Sequence, residues 1–246
     1  MQKEISIKRI VFGLWVALFP LWIALWYWPV TAMRVRQGIL VVGFVIVAGS
    51  IIFIWRYKLW RYLLLTFLIA LSIFLLLPIS RPVNSPDLGR LYAQKLLGYK
   101  GCPYVWGGEG PWGIDCSGLV RRAFEDALVD YGFRTLNPAL VRQGISLWWN
   151  DTTAHGIGNG YEGQTTVLMT CPSLNQLNPS QLLPGDLAVT TPSGVHILAY
   201  TGNNTWIAAD PETMTVMTYL TPGTKNGYFS TNMKIVRWKL LDPPSQ

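Results

Sequence analysis

Histidine and acid are scarce in this 246-residue chain, which has two histidines, His155 and His196, three cysteines, and thirteen Asp or Glu against twenty Lys or Arg. Neither a CxxC pair nor paired-histidine spacing occurs, which argues against a zinc site, and nothing in the sequence calls for a metal or organic cofactor. Up to Asp87 the only acidic residue is Glu4. Residues 1–81 hold nine basic side chains and a balance of +8, whereas residues 82–246 hold eleven basic and twelve acidic ones, a balance of −1. The formal charge of +7 thus belongs to one segment, and with no basic excess beyond it a nucleic-acid partner is not expected.

That same segment goes without charge for long stretches. Ile10–Val30, Gly38–Trp55 and Tyr62–Ile79 are uncharged runs of twenty-one, eighteen and eighteen residues, each long enough to cross a bilayer. Trp15, Trp22, Trp26, Trp28, Trp55 and Trp60 crowd them, several near the ends where interfacial anchors sit. The expectation is a membrane anchor over residues 1–81 with transmembrane helices at about 10–30, 38–55 and 62–79; a re-entrant hairpin made of the second and third runs is the alternative. Lys3, Lys8, Arg9, Arg56, Lys58 and Arg61 fall on one side, and Arg34, Arg36 and Arg81 on the other, which favours a cytoplasmic N-terminus. Three spans then carry the remainder across. No convincing small-residue cleavage site follows the first run, so it reads as retained rather than as a signal peptide.

Residues 82–90 are proline-rich and polar and read as a linker, leaving 91–246 for one independent core. Leu88, Leu91, Tyr92, Leu96 and Leu97 predict a first helix across 87–100. Farther on, Gly101–Ala123 reads GCPYVWGGEGPWGIDCSGLVRRA, with Cys116 where a glycine-rich turn runs into an amphipathic helix. Leu119, Val120, Ala123, Phe124, Ala127 and Leu128 recur at helical spacing, which puts Cys116 in the first turn. Free backbone N–H groups and the helix dipole there favour a thiolate, and hence a nucleophile.

A thiolate that attacks an amide needs a partner to carry protons, and histidine is the usual one. His196 lies in a stretch that predicts strands at Leu187–Thr191, Val195–Thr201 and Thr205–Ala209, a rigid mount for a base. His155 sits in the glycine-dense HGIGNGYEG, which reads as a mobile loop. Trp106 is assigned to the core beneath the turn, while Trp112 fits either a flat wall of a binding groove or core filling.

PYVWGG, DCSGLVRRAF and, some eighty residues later, PGDLAVTT and GVHILAYTGN stand in an order that resembles the NlpC/P60 cysteine peptidases across roughly Leu88–Trp238. The resemblance implies an α+β, papain-like domain, with N-terminal helices packed on a small antiparallel sheet behind the three spans. It implies Cys116 as nucleophile and His196 as general base and acid. Tyr104 would lie near the oxyanion site, and Asp115 and Ser117 would bind the free amino end of a short peptide, with Trp112 a further substrate contact. The substrate implied is a peptidoglycan stem peptide, cut after a γ-linked D-glutamate, by a domain on the periplasmic, extracytoplasmic side of a bacterial inner membrane.

Family members usually carry a polar residue one hairpin after the base, where this chain has Ala208. Asp210, two residues on and therefore on the same strand face, is the expected substitute that would accept the Nδ1 proton of His196. Ala208 keeps open an inactive binding module, and a site close to the bilayer keeps open a lipid-directed thiol acyltransferase. The Cys-before-His order argues against the permuted relatives that act on lipids. Residues 132–184 show little periodicity and read as an inserted loop that walls the cleft, with Trp148 and Trp149 as aromatic contacts, or as a surface decoration. Cys102 and Cys171 are expected to pair as a disulfide outside the cytoplasm, unless both are buried and reduced.

Overall fold

The computed structural model describes residues 2–243, with side chains from residue 9 onward. Lys3, Glu4 and Lys8, on which part of the charge asymmetry rests, have side chains outside the described residues, as do residues 244–246 of the expected domain.

Three helices open the chain: α1 (Gln2–Trp26), α2 (Met33–Ile54) and α3 (Lys58–Leu76). Each is long and apolar enough to cross a membrane. Their boundaries differ from the uncharged runs. The first ends at Trp26, before Pro29, and α2 and α3 begin four to five residues ahead of the runs because Arg34, Arg36, Lys58 and Arg61 are helical. Trp15 and Trp22 of α1 donate their indole N–H groups to the Ile46 and Ile39 carbonyls of α2. Gly43 and Gly49 leave room for those rings, since a Cβ at Gly49 would stand 2.3 Å from Trp15.

The expected linker is largely helical. Asn84 caps α4 (Ser85–Gly98) by accepting from the Asp87 N–H, and Pro86 sits in its first turn, where a missing donor costs nothing. Only residues 77–84 are extended, and they are stitched to the domain. Arg142 donates to the Leu75 and Leu77 carbonyls, Asn137 to that of Arg81, and the Asn84 N–H meets the Tyr131 hydroxyl.

A two-stranded hairpin, β1 (Glu109–Gly110) and β2 (Gly113–Ile114), then leads into α5 (Cys116–Arg134). The presumed loop after α5 has structure of its own: α6 (Pro138–Trp149), the short α7 (Ala154–Gly158) and a strand, β3 (Thr165–Cys171). Pro138 starts α6, and Leu140, Val141, Gly144 and Leu147 form its buried stripe against α5. Next come β4 (Leu187–Thr190), β5 (Ile197–Gly202), β6 (Thr205–Asp210), β7 (Thr215–Leu220) and β8 (Met233–Trp238). They form an antiparallel six-stranded sheet in the order β3-β8-β4-β5-β6-β7.

Both faces of this sheet are covered. Leu187, Val189, Ile197, Ala199, Ile207 and Val236 pack under α4 and α5, while Ala188, Leu198, Tyr200, Trp206, Ala208 and Ile235 pack under the connections after β3 and β7. The alternation along each strand is the two-residue period of a sheet with two buried sides.

Cys102, Cys116 and Cys171 are all free thiols, and the topology explains why the expected disulfide is not made. The Cys102 carbonyl accepts from the Val216 N–H on the β7 edge, whereas Cys171 ends β3 on the opposite edge. Five strand spacings, roughly 24 Å, separate those edges, far beyond disulfide reach.

Candidate active site

Asp115 builds the start of α5. Its Oδ1 accepts from the Gly118 N–H at 2.6 Å and from the Ser117 hydroxyl at 2.9 Å, and its Oδ2 accepts from the Gly107 N–H at 2.8 Å. One carboxylate thus caps the helix and holds the glycine turn against it. Gly118 permits the approach, because a Cβ there would stand 2.1 Å from the Gly108 carbonyl oxygen.

Cys116 is consequently fixed and buried, with its sulfur 3.9 Å from the Val195 carbonyl oxygen. Burial, then the charge of Asp115, pushes its thiol up to about 12, outweighing the hydrogen bonds from backbone N–H groups at Ile197 and the helix start. The thiolate expected from the helix field is therefore not the resting form. Desolvation of an anion exceeds what a helix end returns.

His196 immediately precedes β5, and its backbone pairs with Thr190 of β4. Its ring is buried and stacks on Tyr228 at 4.0 Å between centroids. Burial pulls the imidazole down to about 4, against the pull of the Asp210 charge in the other direction. Cys116 and His196 thus both rest neutral, and the His196 Nε2 is buried without a hydrogen-bond partner. Tyr104 is buried nearby, and its phenol is raised by burial and by the charges that Cys116 and Asp115 can carry.

Asp210 ends β6. The β5–β6 register pairs Ala199 with Ile207 and Tyr200 with Trp206, and continued outward it sets Asp210 across from His196. Ala208 shares that face with Trp206 and is fully buried. The expected bond from Nδ1 to Asp210 is not made, however. The Asp210 oxygens accept from the Tyr219 hydroxyl, from Asn226 Nδ2 at 2.8 Å and from the Glu212 N–H at 2.7 Å. Tyr219, Asn226 and Tyr228 were not singled out in the sequence, where only the cap residue Asn226 carries a local signal.

A cavity of about 340 Å³ opens over Cys116, lined by Trp106 and Glu109 of the glycine turn and hairpin, Asp115 and Ser117 at the start of α5, Asp151 and His155 of the segment after α6, and Gly194 and Val195. The His196 ring is not part of its lining. Trp106, expected in the core, is 79% exposed at this mouth. Trp112, expected at the substrate, is 66% exposed and packs on Tyr27 at the end of α1. Trp148 and Trp149 also face the anchor: Trp148 stacks on Trp26, and the Trp149 carbonyl accepts from Arg36. The exposed indoles are explained by the anchor, which the local sequence around them cannot show. His155 lies on α7 rather than in a loop, with its Nε2 at 2.8 Å from Asn159 Nδ2.

Comparison with known proteins points to one family. A probable endopeptidase of Mycobacterium tuberculosis is 43% identical over 51 residues, 21% of this chain, and the chain spans only 13% of that relative's length. Among solved structures, NlpC2 from Trichomonas vaginalis is 24% identical over 61% of this chain and 47% of its own, with a TM-score of 0.42. The peptidoglycan hydrolase RipB from Mycobacterium tuberculosis is 21% identical over 61% of this chain and 65% of its own, with a TM-score of 0.38. The model of the NlpC/P60 family matches residues 101–237, more than half of the sequence, taking in the hairpin, α5 and all of the six-stranded sheet but the last residue of β8, and the chain belongs to that family.

Proposed function

We propose that the protein is a membrane-anchored cysteine peptidase that hydrolyses peptide bonds of peptidoglycan stem peptides. The observations that carry this reading are the buried Cys116 thiol, 3.9 Å from the Val195 carbonyl oxygen next to His196 in the chain, and a His196 Nε2 buried without a hydrogen-bond partner. A neutral thiol and a neutral imidazole dictate the order of events. The proton of Cys116 passes to His196 Nε2 as the sulfur attacks the carbonyl carbon, backbone N–H groups at the start of α5 and the Tyr104 hydroxyl stabilise the oxyanion, and the imidazolium protonates the departing amine. Water, deprotonated by the same imidazole, then releases the acyl group and restores the thiol.

Asp210 acts on His196 as a fixed negative charge across the strand pair rather than as a hydrogen-bond acceptor. Asp115 and Ser117 border the cavity and would meet the free amino end of a short peptide, although each Asp115 oxygen already accepts from the protein. Cleavage after a γ-linked D-glutamate is the bond we assign, on the family resemblance.

The anchor supports an extracytoplasmic site. The α1–α2 connection and the last turn of α3 both touch the catalytic domain, so they lie at one end of the bundle, as an odd number of spans requires. The test is digestion of purified peptidoglycan and muropeptides by the full-length protein in detergent micelles, with products read by mass spectrometry. Cys116→Ala and His196→Ala should each lower the rate roughly a thousandfold or more. Undiminished cleavage by Cys116→Ala would overturn the mechanism, and no cleavage by the folded protein would overturn the substrate.

A further inference from the structure

Glu109 sits in the hairpin beside the cavity, and its carboxylate is engaged by side chains of the protein itself. Oε1 accepts from Arg121 Nη2 of α5. Oε2 accepts from two anchor residues, Thr31 Oγ1 and Arg36 Nη2, the latter at 2.6 Å. Arg36 spans farther, with its Nη1 donating to the Trp149 carbonyl at 3.0 Å, and Arg121 Nη1 donates to Asn150 and Asp151 on the same side. Both guanidiniums are 1% exposed. The α1–α2 connection adds backbone to the same junction, since Val30 bridges Gly108 and the Glu109 N–H donates to the Pro29 carbonyl.

The hairpin and the 149–154 segment border the same cavity, and the two arginines tie them together through one carboxylate. A charge buried this deeply is costly unless every partner stays in place, so the junction holds one geometry and fails when a partner leaves. We infer that Arg36 is a positioning residue of the active site: the membrane anchor, through Arg36 and Glu109, sets the width of the cleft over Cys116. The effect on catalysis rests on the hydrolase reading, whereas the effect on cleft width does not. Lys at position 36 could meet Glu109 but could not hold the Trp149 carbonyl in the same fork.

The test uses the full-length protein in micelles, with site-resolved mass spectrometry of Cys116 alkylation by iodoacetamide as the readout of the cleft and muropeptide kinetics as the readout of turnover. Arg34, on the same helix and exposed, provides the control Arg34→Ala. Arg36→Ala should raise the alkylation rate of Cys116 about tenfold and KM by a similar factor, with kcat changed less than threefold; Arg36→Lys should fall between, and Arg34→Ala should match the wild type. Alkylation and KM within twofold of the wild type in Arg36→Ala would overturn the inference. Should that variant fail to fold, Arg36→Lys and Glu109→Gln decide by the same two readouts. Altered alkylation in a protein that never cleaves muropeptides would leave the coupling standing and remove the hydrolase.

Discussion

His196 and Glu125 are both buried and titrate in opposite senses, which hides each from a simple pH experiment. His196 is lowered to about 4, so the unfolded chain binds its proton first, and stability falls as pH drops from 6.5 toward 4. Glu125 is raised to about 8 by burial, against the pull of Arg122 and Arg121, so its contribution is complete below 4.5 and is lost as pH rises toward 8. Between pH 7 and pH 5 each change amounts to about 2 kcal/mol, and the two nearly cancel. Thermal unfolding in micelles should therefore be almost flat over that window in the wild type and should decline toward pH 5 in Glu125→Gln. A second expectation concerns Asp210: with its charge removed in Asp210→Asn the imidazole becomes a poorer base, and muropeptide turnover should fall roughly tenfold or more, while the melting temperature should also fall because an amide cannot accept all three of the hydrogen bonds that the buried carboxylate receives. At this scale the sequence revealed Cys116 and His196, because a glycine turn into an amphipathic stripe and a strand pattern are local. It could not reveal Glu109, Arg36 and Arg121 as one junction, because residues so far apart in sequence carry no mark of contact.

Among the elements, the start of α5 is the most tightly constrained. The Gly108 carbonyl lies where a methyl group at Gly118 would be, so Gly118→Ala must push the hairpin away from the helix or shift Cys116 with it. Overpacking of this kind costs on the order of 1–3 kcal/mol, and a displacement of about 1 Å at a nucleophile costs on the order of a hundredfold in rate. Gly118→Ala should remain folded, with a lower melting temperature and a larger loss in kcat than in KM. The strands β4, β5 and β6 were legible as short alternating runs between turn residues. Strand β3 and helix α6 were not. The mixed exposure of β3 reflects its place at the sheet edge, and α6 presents exposed Arg142 and Ile145 to the outside because α3 and α1 cover part of that side.

The whole molecule is read best by asking which ends meet. With the α1–α2 connection on the catalytic side, the α2–α3 connection at Tyr57 lies at the far end of the bundle. In a background with Cys102, Cys116 and Cys171 changed to serine, a membrane-impermeant maleimide added to intact cells should label Lys225→Cys and spare Tyr57→Cys until the membrane is opened. Equal labelling would refute three spans. The uncharged runs made the anchor legible at once, yet its docking was invisible: Trp26 on Trp148, Tyr27 on Trp112 and Phe74 on Phe133 join segments that the sequence separates into two blocks. Cutting the chain at residue 82 would bare these aromatics and leave Glu109 with one arginine.

The stitched segment 77–84 has a mechanical meaning. A slack leash would let the domain sweep a hemisphere and sample wall at many heights. Here Arg142, Asn137 and Tyr131 grip the strand that leaves the membrane, and Arg36 grips the far side of the domain. On the proposed membrane-anchored reading, Cys116 would be held at one altitude and one bearing above the bilayer, free to travel only in the plane. On that reading its search would be two-dimensional, its reach would be a thin shell of the wall next to the membrane, and widening the gap between membrane and wall would starve it of substrate without touching a residue.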